Sequence, residues 1–365
     1  MYFKKLSNFF LCAALAATSL GLASCSDDDN KGDEPDPGTE VTSAIYVVNN
    51  GVQTGNVPGG ITVYDLNSGK ITDDGFAAAN ANLSIGDTPQ SAIIAGGYMY
   101  VAVSESNLIW VLNPTTLQVV KSIVPEAPAT TPRELAYDGK NVYVSFFSGH
   151  VGVIDGNTNT LTRTITVGPN PEGLAVAGGK LYVANSDGLN WEGSYSNCSM
   201  SVIDLNAFTE SKINVGLNPT KVLSPDGKKV FVICMGNYAD IPATVKAVEG
   251  TTARDICPGT LMASDGNSLY VIDSPIGGSA TYGVYDFSGR RLRDMVDKGV
   301  ESPAGLAVDS VSGDIVVLSY QMGSGGWALY SDPCYAQVYN ADGSSRTKFT
   351  TGVGSTCAIF AHIYQ

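Results

Sequence analysis

From residue 44 onward the chain repeats itself with a period of about 40 to 50 residues, the spacing of propeller blades. Pro89, Pro132, Pro171, Pro219, Pro258 and Pro303 each precede a small apolar strand, at spacings of 43, 39, 48, 39 and 45 residues, and a degenerate seventh copy sits at Ser355. A turn and a β-branched or aromatic strand follow each copy. Tyr100-Val101, Tyr143-Val144, Leu181-Tyr182-Val183, Val230-Phe231-Val232, Leu269-Tyr270-Val271 and Ile315-Val316-Val317 are six of these strands, and Tyr46-Val47-Val48 makes seven. A third strand then runs into an acid or amide that opens a turn, as at Asp65, Asn113, Asp155, Asp204, Asp286 and Asn340; the fifth copy is weaker there and ends at Glu249. Each unit of short antiparallel strands can bury its two faces only against its neighbours, so seven copies imply a closed ring. The expected fold is all-β, a seven-bladed β-propeller.

The ends of the repeat predict how the ring shuts. The first blade lacks an inner strand ahead of Ile45, and an orphan strand, Cys357-Ala358-Ile359-Phe360, remains at the far end. Pairing the two would close the ring and hide two sheet edges. Composition agrees: 15% charged residues and a mean hydropathy of +0.06 exclude a disordered chain, and 41 Gly without a triplet period fit many tight turns. No useful helical periodicity appears after residue 44. The Asp turns, such as Asp65-Leu66-Asn67-Ser68-Gly69, are hairpin chemistry and not metal sites.

Residues 1–24 read as a signal peptide: Lys4 and Lys5 precede an apolar run, Leu6 to Leu22, too short and too interrupted to span a bilayer comfortably. It ends in Leu22-Ala23-Ser24-Cys25, which resembles the lipobox of bacterial lipoproteins and implies a diacylglycerol on the Cys25 thiol. The protein would then be anchored to a membrane without spanning it. Residues 25–43 form an acidic, self-repelling tether with seven acids and one Lys. An acidic run directly after such a Cys resembles the surface-export signal of Bacteroidetes lipoproteins, implying an outer-membrane, cell-surface location. Removing leader and tether from the 21 basic and 35 acidic residues leaves a domain, 44–365, with 18 basic and 28 acidic residues, net −10. That charge excludes nucleic-acid partners, whose phosphates require clustered Lys and Arg.

Gly168-Pro169-Asn170-Pro171-Glu172-Gly173-Leu174-Ala175, followed by Leu181-Tyr182-Val183-Ala184-Asn185 and Val202-Ile203-Asp204, resembles the Tyr-Val-Thr-Asn-repeat propellers over residues 44 to 361. With the lipobox and the tether, the chain is similar to the surface propeller lipoproteins of Bacteroides. Some of these resemble cobalamin-binding lipoproteins that cap a TonB-dependent outer-membrane transporter. The resemblance implies a corrinoid ligand and a transporter partner; a glycan-binding protein, a structural surface protein and a propeller lyase or glycosidase are the alternatives.

Specificity should lie in the loops between second and third strands, which share one face with the inter-blade connections. Several are long and aromatic, and they nominate Phe146, Phe147, His150, Trp191, Tyr195, Tyr238, Tyr320, Trp327, Tyr330 and Tyr335 as ligand contacts. Trp110 lies in a strand and is expected in the core. The residues after each repeat Pro, including Gln90, Arg133, Glu172 and Thr220, should ring the channel mouth, either to orient a polar ligand or, for Arg133 and Glu172, to pair across blades.

Catalytic signatures are missing. Only His150 and His362 occur, without a His-Glu-x-x-His, Gly-x-Ser-x-Gly or phosphate-loop spacing. Asp273, Asp240 and Glu192 lie in face loops and keep acid-base chemistry open as a lesser option. No enzyme, no bound cofactor and no metal is expected. Beyond Cys12 and Cys25 five cysteines remain, with no C-x-x-C; Cys234 and Cys257 are the one pair nominated for a disulfide.

Overall fold

The computed structural model describes residues 38–52 and 57–365. Cys25, the signal peptide and most of the tether lie outside the described residues. Seven four-stranded antiparallel sheets form a seven-bladed β-propeller. The inner strands are Ser355–Tyr364, Pro89–Ala95, Pro132–Tyr137, Pro171–Ala177, Pro219–Leu223, Leu261–Ser264 and Pro303–Val308, for blades 1 to 7 in that order. Each touches the next, and they surround a central channel.

The blades are held by alternation with period two. In the second strand of blade 1, Glu40–Asn49, Tyr46 and Val48 face blade 2 while Ile45 and Val47 face blade 7. The same arithmetic makes seven apolar interfaces. Trp110 packs in the first of them, its ring 5.4 Å from Phe76, and its indole N–H donates to the Ile85 carbonyl. Asp turns behave as hairpin chemistry: one Asp155 oxygen accepts from the backbone N–H groups of Asn157 and Thr158 at 3.0 and 2.9 Å.

The ring closes as the chain ends predict. Ser355–Tyr364 pairs antiparallel with Glu40–Asn49 along the length of both strands. Thr39 and Gln365 exchange backbone hydrogen bonds at 2.9 and 3.0 Å. A carboxylate pins this seam to blade 7: the side chain of Asp309 is fully buried and accepts from the Thr42 hydroxyl, from the Ser312 hydroxyl and backbone N–H, from the Val311 N–H, and from His362 Nε2 at 2.8 Å.

Two expectations need correction, and one short element was not foreseen. The strand of blade 1 begins at Glu40, four residues inside the expected tether, because Glu40, Val41 and Thr42 find backbone partners in Tyr364, Ile363 and His362. Pro258 ends the outer strand Thr252–Pro258 of blade 5, opposite Thr244, and does not open the inner strand of blade 6. A five-residue helix, Gly75–Ala79, follows the two-residue outer strand Ile71–Thr72 of blade 1. Asp74 caps it by accepting from the Ala77 N–H, and Phe76 is buried beneath it. One helical turn is too short to write a 3.6-residue period into the sequence.

Candidate functional site

In each blade the second strand runs toward the face that carries its loop to the third strand. These loops are short in blades 2 and 3, Ser104 to Asn107 and Phe147 to Gly149, and long in blades 4, 5, 6 and 7. The loop face is therefore built up on one side of the ring.

The nominated aromatics divide by burial. Phe146 is 0% exposed: it continues the row Val142, Val144 into the interface of blades 2 and 3. Tyr195 is buried in a loop that Asp187 closes by accepting from the Asn190 amide and the Asn197 N–H. Tyr335 is buried in the strand Pro333–Tyr339, with the Lys348 ammonium 3.5 Å above its ring. These three are packing residues, and the assignment of ligand contacts to them is corrected on that ground. His150 is half-buried at the start of the third strand of blade 3, with Nδ1 3.5 Å from the Ser148 hydroxyl.

The remaining aromatics do reach solvent. Trp191 on blade 4, Tyr238 on blade 5, and Trp327 and Tyr330 on blade 7 are exposed, Trp327 by 80%. Tyr320 meets Tyr330 edge to face with centroids 4.8 Å apart. Phe147 lies half-buried under the Arg133 guanidinium, 4.8 Å from its carbon, beside Leu189 and Asn170. The two tryptophans stand three blades apart in the ring and do not make one patch. Exposed Leu189 shares the loop of Trp191, and exposed Ile276 lies in the corresponding loop of blade 6; sequence reasoning passed over them because it searched for aromatics.

At the channel mouth Gln90, Arg133 and Glu172 bond to one another. Arg133 makes a bidentate pair with Glu172, at 3.0 and 2.9 Å, and donates to Gln90 at 3.2 Å, tying blades 2, 3 and 4. A bulge between Pro132 and Leu135 lets consecutive residues point different ways, so Glu134 pairs with Lys221 at 3.2 Å. Burial pushes the Glu172 carboxyl up against the opposing pull of Arg133. Thr220 stands half-buried on blade 5 next in the ring. The alternative of an inter-blade Arg133–Glu172 pair is the one observed.

A cleft lies elsewhere, between the loop 235–243 of blade 5 and residues 273–276 of blade 6, with a volume of about 730 Å³. Tyr238, Ile241, Pro242, Pro275 and Ile276 line it, with Cys257 and Thr260 among its deeper residues. Asp273 contributes a half-buried carboxylate, and its loss of solvent raises its pKa above the ordinary aspartate value. Burial, reinforced by Asp273, pushes the Cys257 thiol up to about 12, so it stays protonated and unsuited to nucleophilic attack at neutral pH. The Asp240 carboxyl is held low by its bond from the Asn237 amide, and Asp255 is paired with Lys246 at 2.6 Å. Among the described residues no group of three or more His, Cys, Asp or Glu side chains is placed to hold a metal ion.

All five cysteines of the ring are free. Cys234 and Cys257 do not bridge because they face opposite sides of blade 5, Cys234 toward blade 4 and Cys257 toward blade 6.

No family model matches the chain, and no curated protein matches it. Among solved structures it is similar to Kuenenia stuttgartiensis hydrazine synthase, with a TM-score of 0.57 and 18% identity, covering 76% of this chain and 95% of that one. It is also similar to the structure of U3-55K, with a TM-score of 0.55 and 12% identity over 76% and 86% of the two chains. At such identities the likeness is one of fold.

Proposed function

We propose that the protein captures a ligand on its loop face, without catalysis, and delivers it to a TonB-dependent outer-membrane transporter while held at the cell surface by a lipid on Cys25. The observation that carries this reading is the exposure of Trp191, Tyr238, Trp327 and Tyr330 at loop positions on one face, with Tyr238 lining an apolar-walled cleft. Large amphipathic rings bury much area for few rotatable bonds, which suits recognition. A corrinoid such as cobalamin is the leading ligand: its broad macrocycle would cover apolar walls while its amide fringe bonds loop carbonyls. The sequence signals around Cys25 support the location. The protonated Cys257 thiol and the paired states of Asp240 and Asp255 support binding over chemistry.

A second reading, a glycan ligand, is favoured by the separate exposed rings of Trp191 and Trp327, each able to stack on a sugar face. Calorimetric titration of residues 38–365 with cyanocobalamin, beside a panel of plant and host glycans, tests both. One-to-one heat with the corrinoid is expected. Heat with a glycan alone transfers the function to polysaccharide scavenging, and silence with both overturns ligand capture in favour of a structural surface role.

A further inference from the structure

The seven second strands end at equivalent positions, on Asn49, Val103, Phe146, Asn185, Cys234, Asp273 and Ser319. Where the residue is polar, the fold normally supplies a partner. Asn49 donates to the Thr62 hydroxyl at 3.0 Å, Asn185 to the Ser201 hydroxyl at 2.8 Å, and the Ser319 hydroxyl donates to the Ser302 carbonyl at 3.0 Å. Thr62 and Ser201 occupy one position of the third strand, two residues beyond the residue directly opposite, Gly60 or Ser199. In blade 6 the residue opposite Asp273 is Thr281, and the position two further on is Gly283. The hydroxyl that would complete the pattern has no side chain to carry it.

Asp273 thus differs from its counterparts twice: it carries a full charge, and it meets no hydrogen-bond donor among the described residues. It continues the row Leu269, Val271 that packs against blade 5, and so reaches the cleft at the top of an apolar interface. None of the residues lining the cleft is basic. A half-buried carboxylate with no partner in the fold gains nothing from its neighbours and leaves an acceptor beside the apolar walls of the cleft.

We propose that the cleft between blades 5 and 6 binds an organic cation, an ammonium group carried on an apolar body, with Asp273 as its counter-ion. The apolar body lies against Ile241, Pro242 and Ile276, and the ammonium donates to the Asp273 carboxylate. The acidic balance of the domain, 28 acids to 18 bases, draws such ligands toward it. This inference rests on the loop face being a ligand-binding surface and is independent of the corrinoid.

The test uses two probes of one shape, phenethylammonium and 2-phenylethanol, titrated into the domain carrying labelled isoleucine methyl groups. Ile241 and Ile276 report directly from the cleft walls. The ammonium should bind about tenfold or more tightly than the alcohol, the range expected of a charged hydrogen bond. Asp273→Asn, isosteric and without a hydrogen bond to lose, should abolish that preference while both probes still shift the two methyl signals. Ile276→Ala should weaken both probes alike and keep the preference. Equal binding of the probes to the wild-type protein, an undiminished preference in Asp273→Asn, or shifts confined to other isoleucines would each overturn the proposal. Parallel cyanocobalamin titrations separate the two readings: ammonium preference with corrinoid silence leaves this one standing, whereas corrinoid heat without ammonium preference removes it alone.

Discussion

Replacing Asp309 by asparagine isolates the chemistry of the closure seam, because it changes charge and donor pattern while keeping shape. Both carboxylate oxygens accept only: Oδ1 from the Val311 N–H and from His362, Oδ2 from the Ser312 N–H and from the hydroxyls of Ser312 and Thr42. An amide must turn its NH2 toward one of these groups. The hydroxyls and the imidazole can reverse their roles, but a backbone N–H cannot, so one buried donor loses its acceptor and the others lose a charged one. The cost is about 2–4 kcal/mol. Unfolding entropy near 2.1 cal/mol/K per residue, taken over the 327 residues from Thr39 to Gln365, converts this to a fall in Tm of about 3–6 °C. Scanning calorimetry at pH 7 reads it directly, and a fall below about 1 °C would refute the claim that Asp309 holds the seam. The pH dependence has a definite sign. Burial alone would raise the Asp309 carboxyl, but the bonds from Ser312, Thr42 and His362 outweigh it and hold the pKa below the ordinary value. Its contribution is therefore complete above the unfolded pKa of about 4 and disappears as pH falls through the lower folded value. The melting curves of Asp309→Asn and wild type should converge on acidification, and a constant gap down to the lowest accessible pH contradicts the assignment.

Two of the nominated aromatics should respond in opposite ways. Phe146→Ala, a cavity at the interface of blades 2 and 3, should destabilise by ~3–5 kcal/mol in denaturant titrations, whereas Trp327→Ala should leave the midpoint unchanged and weaken ligand binding. Thiol titration of unfolded, unreduced domain should count all five cysteines from Cys198 to Cys357; a count of three would reveal a disulfide. Cys25→Ala should move the protein out of the membrane fraction, and unchanged fractionation would rule out the lipid anchor.

The ring was legible because a propeller repeats its strand pattern in sequence, and the orphan strand around Cys357 could pair only with the vacant edge beside Ile45. What escaped was local or tertiary. The helix at Gly75 rests on one cap and one buried ring, and Pro258 resembles the repeat prolines in spacing alone. Phe146 and Phe147 look alike as letters, yet strand alternation buries one and leaves the other under Arg133. That rule was available, since Val142 and Val144 already mark the buried row. Tyr195 and Trp191 share a loop whose closure by Asp187 decides which turns inward, and sequence does not reveal that closure. Asp273 was noticed only as a possible acid; its distinction depends on Gly283, visible once third strands are aligned position by position.

The mutual hydrogen bonds of Thr39 and Gln365 have a consequence for how the molecule can be taken apart. The two ends of the ring meet within one blade, at the rim opposite the long loops, so the ring is a loop in space whose point of opening is a choice. A short linker joining them, with a new break at another tight turn on that rim such as Gly178-Gly179, should give a permuted protein with the same ring. The seam at Asp309 would then be covalently continuous, and the loop face would keep its cleft.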